Sequence, residues 1–405
     1  MYSRTNNQQL ITNNQLATKA NINREVLKWA RKTARISLEK AASTISKTCK
    51  VDRIRDWESP EGIEWPSVKQ VEKLARLYRR PIDVFYLKYI PKDFPALKDF
   101  RSNKEEELST AVIFMMREIQ EKQEWLSKFL ATRREKKIDF VGKYTIKSPV
   151  ESVAKDIRKV LNIQPGKADL KPLKHWIDQA EGKKIFVTLS SNFHTRLKLD
   201  SDNFKGFAIA DKFAPFIFIN ADDWDHGQLF TMVHELVHIW IGVSGISKDT
   251  EISLKEPQNL HVVEKFCRAV AEEALLPESD VCSFLEVKGD LTLRHISKAG
   301  RRLGVSNQAF LVRAKRLNLI NEDIFSILLK EADQAWKEFL IKESKKPKSS
   351  GGPNYYVMQL RRSSRSFSTL VMDIYKSGKV SGTQASRLLS VKEGNFVKYE
   401  KYIYK

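Results

Sequence analysis

The pentapeptide His234-Glu235-Leu236-Val237-His238 sets two histidines four residues apart, with an acid beside the first. On an α-helix, residues i and i+4 lie on one face, so the two imidazoles can share one ion. Zinc accepts imidazole nitrogen at about 2.0–2.1 Å, and a catalytic zinc keeps three protein ligands and one open position for water. Glu235 is then placed as the general base toward that water. The flanking residues Phe230, Met232, Val233, Leu236, Val237, Ile239 and Trp240 predict a helix that is apolar almost all round and hence buried. Polar groups on such a helix are costly unless something satisfies them. A metal site therefore accounts for the pattern better than two hydrogen-bonded histidines and a solvated glutamate.

A third ligand must come from farther along the chain, because Gly242-Val243-Ser244-Gly245 stands where the longer metzincin pattern would continue to another histidine. Glu251, Glu256, His261 and Glu264 are the candidates. Glu264 is favoured, giving a gluzincin-like set. It opens a helical segment whose Ala269 and Ala271 permit close packing against the first helix. His261 is an alternative ligand, a transition-state donor or simply a helix-start residue. The three cysteines, Cys49, Cys267 and Cys282, contain no CxxC pair, so neither a disulfide framework nor a thiolate zinc site is expected.

Positioning these groups requires a sheet and several helices. Lys184–Leu189, Phe207–Ala210 and Pro215–Ile219 have strand composition, the last two joined by the turn-like Asp211-Lys212. The strand ending at Ile219-Asn220 is a candidate to pair with an extended substrate backbone. Helices are expected around Val262–Leu276 and Leu293–Leu317, the latter broken at Gly304-Val305-Ser306 into a helix pair that is either a second helix-turn-helix or plain helical packing. Upstream, apolar spacing predicts helices around Val26–Ala30, Leu38–Ile45, Val51–Trp57 and Val68–Tyr78, closed by Ile90–Pro95, and a long helix over Leu108–Arg134. Downstream of a basic Ser/Gly/Pro stretch at Ser344–Pro353 come helices around Ser366–Lys376 and Thr383–Leu389.

The 405 residues carry 71 Lys+Arg against 50 Asp+Glu, a formal charge of +21. That potential attracts phosphate backbones, anionic surfaces or an acidic partner, although a Lys-favouring composition gives the same sum. Apolar stretches are far shorter than the roughly 20 residues that span a bilayer, and the polar start and sparse cysteines fit the cytoplasm. No membrane association is expected.

The run Phe230–His238, preceded by Phe218-Ile219-Asn220 and followed by Glu264-Lys-Phe-Cys267-Arg-Ala-Val-Ala271-Glu-Glu-Ala-Leu275-Leu276-Pro277, resembles the ImmA/IrrE family of metallo-endopeptidases. The N-terminal unit, with Glu25–Arg31, Trp57-Glu58, Pro66–Gln70 and Arg80–Leu87, is similar to the XRE-type helix-turn-helix found fused to that peptidase. The resemblance implies zinc held by His234, His238 and Glu264, with Glu235 as base. Arg268 departs from it, since members often have Asn there. It also implies limited proteolysis of a regulatory protein, such as a helix-turn-helix repressor or an antitoxin, in a stress, mobile-element or phage-defence setting. The alternative is a DNA-binding regulator or toxin–antitoxin component whose metal domain docks a partner and cleaves little. Arg53 and Arg55 are the candidate contacts to double-stranded DNA, on a recognition helix, although the acidic Trp57–Glu64 stretch suits a protein-docking module as well.

The expected architecture is multidomain and mainly α with an α+β core. An all-α helix-turn-helix domain (1–95) leads through a helical connector (96–150) to a zincin-like α+β peptidase with a small sheet (151–280). A helical region (281–343), a linker (344–353) and a small C-terminal unit (354–405) follow.

Overall fold

A computed structural model describes residues 19–93, 97–99, 108–163, 171–193, 197–199, 204–247, 261–286, 290–345 and 354–405. The chain divides into two compact units, Met1–Phe94 and Pro95–Lys405.

The first unit is all-α. Helices α1 (Arg24–Thr33), α2 (Leu38–Ile45), α3 (Val51–Glu58) and α4 (Val68–Tyr78) are followed by a 3-10 turn at Ile82–Tyr86. Polar side chains start three of them: Asn23 accepts from the Glu25 and Val26 amides, Ser37 from Lys40, and Ser67 with Gln70 forms a reciprocal capping box. Val26, Leu27, Ala30, Ile54, Trp57 and Leu74 are fully buried between the helices. Arg31 grips Glu58 through Nε and Nη2 at 2.7 and 2.9 Å.

In the second unit the described helices are α5 (Thr110–Thr132), α6 (Val150–Val160), α7 (Pro172–Gly182), α8 (Asp225–Trp240), α9 (Val262–Leu275), α10 (Glu278–Leu285), α11 (Leu293–Leu303), α12 (Asn307–Arg316), α13 (Glu322–Ser344), α14 (Tyr355–Ser363), α15 (Arg365–Lys376), α16 (Gly382–Leu389) and α17 (Phe396–Ile403). The strands are β1 (Lys98–Asp99), β2 (Phe186–Ser190), β3 (Asn192–Phe193), β4 (Leu197–Lys198), β5 (Gly206–Ile209), β6 (Phe216–Asn220) and β7 (Gly245–Ser247). Five of them form a mixed sheet in the order β1-β7-β5-β6-β2. The β5–β6 pair is the expected antiparallel hairpin, and the Asp211 carboxylate closes its turn by accepting the Phe213 and Ala214 amides.

The expectation that the strand ending at Ile219-Asn220 offers an edge to substrate is not met. β6 is interior, paired in parallel with β2 along Phe186–Ser190 and antiparallel with β5. Both rows of its backbone groups are already used.

α8 crosses the sheet, and every residue from Gly227 to Trp240 on it is buried, as an all-round apolar helix requires. Its C-terminus is fixed by the preceding 138–144 segment. There the Gly142 and Tyr144 amides donate to the Ile239 and Trp240 carbonyls, and Phe140 stacks on Trp240 at 4.3 Å. Gly142 and Gly242 both have positive φ and meet backbone to backbone. A Cβ at Gly242 would stand 3.0 Å from the Gly142 Cα.

The turn between α11 and α12 packs inward. Gly304 has φ +79°, and a Cβ there would meet Leu229 of α8 at 2.6 Å and Pro172 of α7 at 2.7 Å. Ile296, Leu303, Phe310 and Leu311 join the same core as Val233 and Leu236. α5, expected as a connector, also lies against the sheet region: Gln123 donates to the Ala214 carbonyl and Ser127 to Asp211.

The C-terminal helices belong to this unit as well. Phe367 of α15 packs edge-on against Phe186 and Phe216. Glu181 of α7 accepts the Ser364 hydroxyl and the Arg365 and Ser366 amides at 2.6, 3.1 and 3.2 Å. Glu118 of α5 binds Lys122 at 3.0 Å and Arg362 of α14 at 2.6 Å, with Lys122 only 3% exposed.

Burial alone would raise the Glu118 carboxyl, but Lys122 and Arg362 outweigh it and hold it at about 2. Stability from this group is therefore complete above the ordinary carboxyl value of 4.5 and drains away as pH falls toward 2. A depression of that size corresponds to roughly 3 kcal/mol. Glu118→Gln should lower the neutral-pH unfolding midpoint in scanning calorimetry and shallow the decline in stability between about pH 4.5 and 2. An unchanged midpoint would mean that these charges contribute nothing to docking α14.

Candidate metal centre

α8 supplies His234, Glu235 and His238, all 0% exposed, and α9 brings Glu264, 1% exposed, against them. The two helices come this close because α9 turns Cys267, Val270, Ala271 and Ala274 into the contact, mostly short side chains that let backbones approach. The Glu264 carboxylate spans both imidazoles, with His234 Nε2 3.0 Å from Oε2 and His238 Nε2 3.1 Å from Oε1. The i, i+4 spacing read from sequence does bring the two histidines to one point, their ring centroids 5.2 Å apart.

The donor set fits a divalent cation. Ligand atoms about 2.0–2.2 Å from a tetrahedral ion stand roughly 3.3–3.6 Å apart, a few tenths of an ångström wider than the distances here. Buried polar atoms at the same spot are also short of partners: His234 Nδ1 has none among the described residues, and the Glu235 carboxylate has only the Ser247 hydroxyl close by. Such atoms are rare in folded proteins and mark a place where an ion or water belongs.

Cys267 is the residue that sequence reasoning left out. It is fully buried, and its sulfur lies within 4.8 Å of nitrogens on His234 and His238, making a His/His/Cys cluster that can also hold a metal. The sequence expectation took no account of a cysteine at this point; burial pushes its thiol up, toward the protonated form. The signal was the three-residue spacing of Glu264 and Cys267, which puts both on one face of α9, whereas the search for CxxC pairs looked for two thiols.

Burial and mutual charge together set the electrostatics: burial would lower His238, but Cys267 and Glu264 outweigh it and raise that imidazole well above its ordinary value. Glu235 is pushed up to about 8 because its charge is desolvated, with nearby Glu264 adding to the rise. Burial acts on Glu264 in the same direction, yet the two imidazoles prevail and hold it at about 2. Burial keeps His234 below its ordinary value. The positive charge of Arg268, 6% exposed and one turn beyond Glu264, acts in the same direction. A neutral imidazole is the form that ligates metal.

His261 is an exposed N-cap of α9 whose Nδ1 accepts the Val263 amide at 3.2 Å. Glu251 and Glu256 fall outside the described residues. Arg53 and Arg55 are exposed on α3 in the first unit, Arg53 paired with Glu64 at 2.8 Å and Arg55 with Asp52 at 2.9 Å.

Gly206 of β5 gives Glu235 its room. A Cβ there would stand 2.6 Å from the Phe218 carbonyl oxygen, 2.8 Å from Thr231 Cγ2 and 3.2 Å from Glu235 Oε1. Gly206→Ala should cost roughly 1–3 kcal/mol as overpacking and displace Glu235. Thermal unfolding that matches wild type would show that β5 and α8 can part without strain.

Compared with curated proteins, the chain has no significant match. Residues 185–315, from β2 through α12, match the family described as Peptidase_M78, the IrrE N-terminal-like domain, so the chain carries an ImmA/IrrE-like domain around this metal centre.

Proposed function

We propose that the chain is a zinc-dependent, site-specific endopeptidase that cleaves a regulatory protein, such as a helix-turn-helix repressor or an antitoxin. The observation that carries this reading is the pairing of a convergent ligand set with a buried acid: His234, His238 and Glu264 meet at one point, and Glu235 beside them has no charged partner of its own and only the Ser247 hydroxyl close by. A purely structural metal site has no use for a buried acid of that kind.

Zinc, when bound, supplies Lewis-acid polarisation of the scissile carbonyl and lowers the pKa of water to about 7. His234, His238 and Glu264 would hold it. Glu235 then takes the proton from the attacking water and returns it to the leaving amine, so it starts the cycle ionised and ends it ionised. A cation beside it favours that ionised form, offsetting the burial that raises it to about 8.

The proposal includes an XRE-type helix-turn-helix in the first unit, formed by α2 and α3 across residues 46–50. Arg53 and Arg55 pair with Glu64 and Asp52 at exposed positions, so contacts from them to phosphate would exchange these partners at a cost of about 1 kcal/mol or less each, and the unit is compatible with DNA or with a docked protein. No helix among the described residues is long and apolar enough to cross a membrane.

Elemental analysis of protein purified without metal-affinity chromatography should find about one zinc per chain, lost in His234→Ala and Glu264→Ala. Cys267→Ser separates the two ligand sets: retained zinc assigns the third position to Glu264, and lost zinc assigns it to the thiolate. Folded wild-type protein that neither contains nor takes up zinc would overturn the peptidase reading. Glu235→Gln should keep the zinc and slow cleavage of the co-expressed regulator by roughly 10²–10⁴. Undiminished cleavage would remove Glu235 from the mechanism.

A further inference from the structure

A second cavity, of about 790 Å³, lies between α7, β2, the start of α8, the α11–α12 turn and helices α14 and α15. Its volume falls in the range of small-molecule sites, roughly 300–1,000 Å³. The walls are apolar, with Leu173, Ile177, Val187, Leu189, Leu229 and Leu360 facing in. Lys171, Arg301, Arg361 and Arg365 add positive charge, and Lys171, Arg301 and Arg361 are exposed.

The acidic side chains do not neutralise this charge. The lining holds five cationic side chains against three carboxylates. Asp178 is paired with Lys174, and Glu181 is committed to the Ser364 hydroxyl and the amides that open α15. Arg365 donates to the Ile403 carbonyl and Arg301 to the Ser297 carbonyl. Neither Arg301 nor Arg361 has a carboxylate partner among the described residues. Helix α7 also begins here without a side-chain cap or an acid in its first turn, so its partial positive end reinforces the basic mouth, whereas the start of α8 is answered by its own Asp225, the third carboxylate of the lining.

We propose that this cavity is a binding site for a small amphiphilic anion, an apolar body carrying one carboxylate or phosphate. The body would lie against the leucine-lined walls, and the head group at Arg301 and Arg361. Since Leu229 lies on α8 only five residues before His234, the bound molecule would touch the helix that presents the metal ligands. Binding itself needs neither zinc nor cleavage, so this inference can fail or stand apart from the peptidase reading.

Calorimetric titration of the full chain with decanoate, decyl phosphate and uncharged decanamide tests it. One saturable site is expected for at least one anion, with decanamide binding at least about tenfold more weakly. Binding of both anions means that a carboxylate head suffices; binding of decyl phosphate alone identifies a phosphate-bearing ligand. The charge reversal R301E/R361E lies on exposed positions and should weaken binding at least about tenfold without shifting the melting temperature. Leu189→Trp should fill the cavity and abolish binding. If that variant does not fold, the arginine pair still decides. No saturable heat with either anion up to roughly millimolar concentration, where the binding free energy is only about 4 kcal/mol, or equal binding to R301E/R361E, would overturn the proposal.

Discussion

Two histidines and two glutamates share one fully buried point, and a low-dielectric interior penalises every charge placed there. The arrangement is tolerable because Glu264 faces both imidazoles at 3.0 and 3.1 Å, so a carboxylate that burial would neutralise stays ionised. The same burial drives Glu235 the other way, up to about 8. A pair of titratable groups pushed apart by one environment is a common preparation for acid–base chemistry. The surrounding fold serves to keep this cluster closed: the sheet covers one side of α8, α9 and α6 another, and the 138–144 segment its end.

That closure depends on small residues at a few contacts. Gly206 lets β5 pass beside Glu235, Gly142 and Gly242 meet where a Cβ would press on backbone, and Ala271 and Ala274 let α9 approach α8. Each is a place where an added side chain would press on backbone or on a residue of the cluster, so the geometry of the candidate metal site and the packing are constrained by the same residues. Arg268 and Cys267, on the face of α9 next to Glu264, further set the charge around His234 and His238.

The region matched to the IrrE N-terminal-like family ends at 315, but the compact unit does not. α14 and α15 pack on β2 and α7 through Phe367, Glu181 and the Glu118–Arg362 pair. They also complete the wall of the basic cavity. The chain's C-terminal helices therefore extend the core around the matched domain, and they put an apolar recess with a basic mouth against the start of its central helix.

Local pattern in the sequence determined much of this. The four-residue spacing of His234 and His238, the all-apolar flanks of α8, and the caps at Ser37 and Ser67 depend on near neighbours alone, and they found the central helix, two residues of the candidate metal site and the N-terminal helices. The β5–β6 hairpin was legible for the same reason, from two apolar runs and a turn. Tertiary structure decided what depends on distant partners. β2 pairs beside β6 and so closes the edge read as open to substrate, and Cys267 enters the cluster because α9 crosses α8 at that face. Phe396, Tyr399 and Ile403 of α17 do repeat at helical spacing, whereas the three-residue β7 and the nine-residue α14 are too short to carry a clear period of their own. They are fixed by what they pack against, β5 for β7, and β2 with the helices that follow for α14, and such contacts join residues too far apart in the chain for spacing to record.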